Sequence, residues 1–209
     1  LGYSYPELGR GQVAIMDGLV CRAEKRGWNV LPANANFSAT QQAEQIEYFI
    51  RRGVDAVVAV PVDSEGIAAS VKVCKDAGIP FYTVDRAPVG VEIAMAVLAD
   101  NYMAGEQCGR ALVRLLKERN GAPHGTVVEL QGDLRQNVTK LRGAGFHSVV
   151  DEHPGIEVVQ RPTAWQPARV ERALREHAVP GARTGIAVRR LSDGAEFFTR
   201  SERELFELA

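Results

Sequence analysis

The chain is 209 residues long, 45% of them apolar, with a formal net charge of −1 at pH 7. That is enough to bury a sizeable core, as one large domain or as two lobes of about 100 residues each. The near-neutral balance provides no net basic field, so nucleic acid is not expected as a partner, and no apolar run reaches the roughly 20 residues that span a bilayer.

Taken in order, Leu1 to Tyr5 reads as a strand, and Gln12 to Arg26 as a helix closed by Gly27. Trp28 to Leu31 is expected as the second strand, and Thr40 to Arg52 as a helix with Ala43, Ile46, Phe49 and Ile50 on one face. The pattern is clearest from Gly53 onward. Ala56 to Val60 is a near-continuous apolar run, as expected for a parallel strand covered by helices on both sides. Ser64 to Ala77 then reads as its crossover helix, with Ser64 as the N-cap and Ile67, Val71 and Cys74 at helical spacing. Gly78 and Pro80 stop it before the strand Phe81 to Val84.

That strand ends in Asp85-Arg86. Ligands of open α/β sheets gather outside the carboxyl ends of strands, so an acid and a fork-shaped base there are candidate ligand contacts. On residue chemistry alone an ion pair or a solvated loop is an equal reading. Ala94 to Leu98 follows as a strand, leading through Asp100-Asn101 into a helix from Ala104 to Arg119. A second set then runs as strand Thr126 to Leu130, helix Val138 to Asp151, strand Ile156 to Gln160 and helix Pro167 to His177. Two sets of βα units suggest two similar lobes with a cleft suited to a small polar ligand. Beyond them, Gly185 to Leu191 and Ala195 to Arg200 read as a hairpin around Asp193-Gly194, which favours a type I′ turn. Ser201 to Glu204 opens a short helix as a capping box would.

Enzyme chemistry is not visible. Cys21, Cys74 and Cys108 lack metal-ligand spacing and are expected to be buried structural thiols. His124, His147, His153 and His177 are scattered and receive no chemistry. Ser4, Ser64 and Ser148 have no base partner in sequence, and Asp63 and Glu65 suit helix capping. Gly9-Arg10-Gly11-Gln12-Val13-Ala14 formally matches a dinucleotide fingerprint. Pro6, Glu7 and Leu8 separate it from its strand, however, and no acid ends the second strand, so NAD(P) binding is a minor alternative. No cofactor and no metal are expected.

The chain resembles the periplasmic sugar-binding proteins of the ribose-binding type, which share their fold with LacI-type repressor effector domains. The matching segments are Gly53-Val54-Asp55, Pro61-Val62-Asp63-Ser64, Ala77-Gly78-Ile79-Pro80, Val84-Asp85-Arg86, Asp100-Asn101 with Ala104-Gly105, Leu130-Gln131-Gly132, and Arg142 through Phe146. They follow the family's order and spacing across residues 1 to 175.

The resemblance implies an α/β fold of type I periplasmic binding proteins, with two Rossmann-like lobes, parallel sheets and flanking helices. Its boundaries would be residues 1–100 for the N-terminal lobe, 101–180 for a partial C-terminal lobe, and 181–209 for a divergent tail. It implies that Asp85, Arg86 and Arg142 hold sugar hydroxyls and that Trp165, otherwise a candidate core residue, stacks on the sugar. Asp133 would occupy a pocket position and favour a hydroxyl-rich or cationic ligand over a phosphorylated one. In the first loop, Gly11 and Gln12 stand where relatives carry aromatics, so Tyr5, Glu7 or Arg10 could substitute.

The implied function is non-enzymatic capture of a sugar or polyol and delivery to the membrane subunits of an ABC importer, by an exported, monomeric receptor of the periplasm or cell envelope. A LacI-type effector domain is the alternative, to be distinguished by a helix-turn-helix or a signal peptide upstream of Leu1. The family's later elements are not recognisable after His177, which implies a second lobe cut short by truncation or frame change, or a variant with a shortened lobe.

Overall fold

The computed structural model describes residues 1–176, 186–189 and 196–200. The chain forms two compact units, Leu1–Ala164 and Trp165–Ala209.

The first unit opens with β1 (Gly2–Tyr5), α1 (Arg10–Glu24), β2 (Leu31–Asn34), α2 (Ala39–Arg51), β3 (Val57–Ala59), α3 (Ala68–Asp76), β4 (Phe81–Val84) and β5 (Met95–Val97). These strands form one sheet in the order β2-β1-β3-β4-β5, every neighbouring pair parallel. The central strand, β3, runs Val57 beside Gly2 of β1 and Phe81 of β4, so its side chains enter a core on each face. Under one face lie Ile46, Phe49, Val57, Ile67, Val71, Cys74 and Phe81, contributed by α2, α3 and the strands between. On the other, Tyr3, Tyr5 and Val60 pack with Ile15, Met16 and Leu19 of α1. Helices on both faces explain why Val57, Ala59 and Val60 are fully buried and why this strand shows no polar alternation.

Several boundaries move from the sequence expectation for local reasons. The second strand starts at Leu31, where the earlier expectation ended, because the Trp28 amide still closes the preceding turn on the Ala23 carbonyl. The crossover helix starts at Ala68 rather than Ser64 and has no side-chain cap. Asp63 instead folds back as an Asx turn, its Oδ1 accepting from the Glu65 and Gly66 amides, and this leaves Ser64 free for a long-range role. Gly53 and Gly78 stand at φ of 67° and 71° just past α2 and α3, the left-handed geometry that ends a helix with little strain.

The rest of this unit is α4 (Asn101–Asn120), β6 (Gly125–Gln131), α5 (Asn137–Val150) and β7 (Ile156–Pro162). Asp100 caps α4 by accepting from the Met103 amide at 2.9 Å, so the helix begins three residues before the expected Ala104. β6 and β7 pair in parallel over seven residues as a separate two-stranded sheet. α4 and α5 pack closely through glycine: a Cβ on Gly105 would strike the Arg142 carbonyl, and one on Gly145 the Tyr102 carbonyl.

The second unit contains α6 (Pro167–Glu176), β8 (Ile186–Arg189) and β9 (Glu196–Arg200). The hairpin expectation meets an antiparallel pairing of β8 with β9, Ile186 opposite Arg200. The Asp193-Gly194 turn and the helix expected from Ser201 lie outside the described residues. No helix among the described residues is long and apolar enough to cross a membrane.

The cysteine expectation needs correction. Cys74 is buried, and burial pushes its thiol up to about 11. Cys21 of α1 and Cys108 of α4 are exposed, since a cysteine's place in a helix does not by itself say which face of that helix is buried.

Candidate functional site

The candidate residues of the first unit gather at the carboxyl ends of β1, β4 and β6. β4 delivers Asp85 and Arg86 through a tight reversal. The Arg86 amide donates to the Val84 carbonyl at 2.8 Å, which makes Asp85 the centre of a γ-turn with φ of 67°. A non-glycine residue in that region is strained by about 1–3 kcal/mol, and such residues concentrate at ligand sites. The Asp85 amide is satisfied by the Val97 carbonyl at 2.9 Å, so the neighbouring strand holds the strained turn in place.

Arg86 is 7% exposed. Its Nη1 donates to the Pro61 carbonyl at 3.1 Å, anchoring the guanidinium to the loop after β3, and its Nε lies 3.7 Å from Asp85 Oδ2. Burial lowers its pKa, opposed by the nearby carboxylates of Asp85, Asp133 and Glu7, while the positive charge of Arg142 adds to the lowering. The guanidinium is thus a buried cation surrounded by acids from both sheets' loops.

Gln12 completes this corner. It is 8% exposed in the first turns of α1, and its Nε2 donates to Asp85 Oδ2 at 3.1 Å. Burial of Tyr3 on β1 raises its phenol above the ordinary value, and the charges of Tyr5 and then Asp85 add to that.

The β6–α5 side brings Asp133 and Arg142. Asp133 is 7% exposed and is gripped by Arg135, whose Nε and Nη2 donate to its two oxygens, the closer contact at 2.6 Å. Burial alone would raise the Asp133 carboxyl, but the hydrogen bonds and charge of Arg135 outweigh it and hold the carboxyl below its ordinary value. Arg142 donates from Nε to Asn101 Oδ1 at 2.8 Å, and Asn101, the first residue of α4, is itself 5% exposed.

Asp85, Arg86, Asp133 and Arg142 therefore share one electrostatic neighbourhood. Arg10 opens α1, and its side chain lies outside the described residues. Trp165 begins the second unit, 40% exposed, at φ of 61° in the turn between β7 and α6. Gln12, Asn101 and Arg135 were not assigned roles from sequence. The Arg135–Asp133 clamp, two residues apart, follows from local spacing, whereas nothing local to Gln12 or Asn101 announces partners 73 and 41 residues away.

Among the described residues no group of three or more His, Cys, Asp or Glu is arranged to hold a metal ion. The arrangement offers fixed hydrogen-bond donors and acceptors at the strand ends of two parallel sheets, in an α/β protein of the type I periplasmic-binding fold. The chain matches the periplasmic binding protein domain family over residues 8–177 and belongs to it.

It is similar to the ribose import binding protein RbsB of Bacillus subtilis (strain 168), 31% identical over 152 residues, which are 73% of this chain and 48% of that protein. A solute binding protein of an ABC transporter from Mycobacterium smegmatis, solved with bound glycerol, is 31% identical with a TM-score of 0.76, covering 84% of this chain and 62% of the other. Another from Bacillus halodurans C-125, solved with bound myo-inositol, is 26% identical with a TM-score of 0.78, covering 87% of this chain and 62% of the other. The chain spans about half the length of the curated relatives it matches.

Proposed function

We propose that this chain is a solute receptor of an ABC importer that captures a sugar or sugar-like polyol without covalent chemistry. Residues 1–100 and 101–180 act as its two lobes, and it works as an exported monomer of the periplasm or cell envelope that delivers solute to the transporter's membrane subunits. The observation that carries this reading is the convergence on Arg86 of Asp85 from one sheet and Asp133 and Arg142 from the other side of the unit. A hydroxyl both donates and accepts, so vicinal hydroxyls match an acid beside a guanidinium fork. Elements from both sheets satisfy the solute together, which ties binding to a closed arrangement. In this reading Asp85, Arg86 and Arg142 hold hydroxyls, Trp165 stacks on the ring, and Arg10 and Asp133 tune selectivity. The bound ligands and names of the relatives, among them ribose, glycerol and myo-inositol, support the ligand class.

Titration calorimetry with a panel of monosaccharides and polyols tests it. At least one should bind the parent chain, and Asp85→Ala should weaken it by at least about tenfold, the loss of roughly one charge-assisted hydrogen bond. Trp165→Ala should weaken it as well. Unchanged affinity in both variants would remove the site assignment.

A further inference from the structure

Five buried side-chain polar atoms among the described residues have no hydrogen-bond partner, and three of them belong to Tyr3, Gln12 and Arg86. Two of those side chains, Gln12 and Arg86, border Asp85, and Tyr3 lies within reach of its charge. Gln12 Nε2 donates to Asp85 Oδ2, Arg86 Nε lies 3.7 Å from the same oxygen, and the Tyr3 phenol lies within the field of that carboxylate. Leaving a buried donor or acceptor unpaired is unfavourable, and such atoms are rare in a packed interior. Their concentration around one carboxylate marks it as the place where a ligand supplies the missing partners.

The orientation of the Gln12 carboxamide follows from chemistry. Its NH2 must face the Asp85 carboxylate, because the reverse would set two acceptors against each other. Gln12 Oε1 is therefore left as an acceptor and Arg86 Nε–H as a donor, both beside one anionic oxygen. A hydroxyl answers both, giving its proton to Oε1 and accepting from Nε–H. A phosphate or carboxylate offers acceptors only and would meet Oε1 and Asp85 with repulsion. An ammonium offers donors only and would leave Arg86 Nε–H unpaired beside a like charge.

We infer that Gln12 is a specificity-determining residue of the solute site, which orients Asp85 and, with Arg86 Nε–H, selects a neutral hydroxyl over an anionic or cationic group at this subsite. The inference rests on the receptor reading above and narrows its ligand to a neutral polyol or sugar.

The test is calorimetry on the full chain with myo-inositol, D-ribose and xylitol as neutral probes, myo-inositol monophosphate as the anion and an inosamine as the cation. The parent should bind one of the neutral probes more tightly than either charged probe. Gln12→Met, close in volume but lacking both amide functions, should weaken that neutral probe by at least about tenfold, the size of a lost buried hydrogen bond to a ligand. Gln12→Glu should shift preference toward the inosamine. A parent that binds a charged probe best overturns the inference, and that measurement does not depend on any variant folding. Equal binding of the neutral probe by a folded Gln12→Met, with its melting temperature unchanged, overturns it too and leaves the receptor reading standing. A parent that binds none of the probes overturns both.

Discussion

Gln42 is 1% exposed, and its carboxamide ties three parts of the first sheet together. It donates to Ser4 Oγ at 3.2 Å and to the Val60 carbonyl at 3.0 Å, and its Oε1 accepts from the Val62 amide at 2.8 Å. It serves the backbone where β3 has ended and the loop carrying Pro61 has not yet turned. Gln42→Leu keeps most of the volume but strands the Val60 carbonyl and the Val62 amide, so urea unfolding should show a loss of about 1–3 kcal/mol for each orphaned group.

His147 is a second residue-scale case. Its Nδ1 lies 2.9 Å from Asp151 Oδ1 and its Nε2 3.1 Å from Glu129 Oε2, while Gln160 Nε2 also approaches Glu129 at 2.9 Å. Burial by itself lowers the imidazole's pKa, but the two carboxylates outweigh it and the net shift is upward from 6.5. A raised pKa means the stabilisation is fully present below pH 6.5 and fades as pH rises through the folded-state value. Denaturant unfolding of the parent should therefore show stability falling above pH 6.5, and His147→Gln should lack that part of the pH dependence.

At the scale of elements, the α4–α5 contact is the most demanding. Each helix brings glycine to the other's backbone, and a methyl group on Gly105 or Gly145 has only a carbonyl to meet. Such a clash cannot be relieved by rotating a side chain, so the helices must separate. Gly145→Ala should destabilise by at least about 1–3 kcal/mol, as overpacking does, and lower the melting temperature by roughly 2–4 °C per kcal/mol in a chain of this size. Differential scanning fluorimetry reads it directly. Gly11, by contrast, meets nothing within 4 Å, and Gly11→Ala in α1 should leave the melting temperature unchanged or raise it slightly.

Elements also show where periodicity is informative. The run Ala56 to Val60 and the helix face Ile67, Val71, Cys74 lead directly to the buried core, since burial on both faces leaves an uninterrupted apolar imprint. β5 carries the same kind of residues, yet Met95 and Val97 are each 56% exposed. It lies at the sheet's edge, and an apolar triplet does not reveal whether a strand is central or at the edge.

At the scale of the first compact unit, the loop before α3 and the start of α5 are joined by Ser64. Its Oγ donates to Asn137 Oδ1 at 3.3 Å and accepts from the Asn137 amide at 3.0 Å, while its own amide donates to the Arg135 carbonyl at 3.1 Å. Lys140 and Glu65 add an ion pair at 2.9 Å, both side chains more than half exposed. Ser64→Ala leaves the Asn137 amide without its cap, so hydrogen exchange at the first turn of α5 should accelerate, whereas Lys140→Ala should change stability by less than about 1 kcal/mol, as exposed pairs do.

The sequence alone determined the βα alternation, the parallel sheet and the strand-end position of Asp85 and Arg86, because helix stops, apolar runs and the residues after a strand are local properties. It also carried the family resemblance through segments in fixed order. Only the tertiary structure decided that Gln12 holds Asp85, that Asn101 holds Arg142 and that Ser64 serves α5 rather than its own helix. Those contacts join residues 41 to 73 positions apart. Hydrogen bonding between side chains leaves no periodic trace in the chain, so it becomes visible only once the sheets bring their loops to one end.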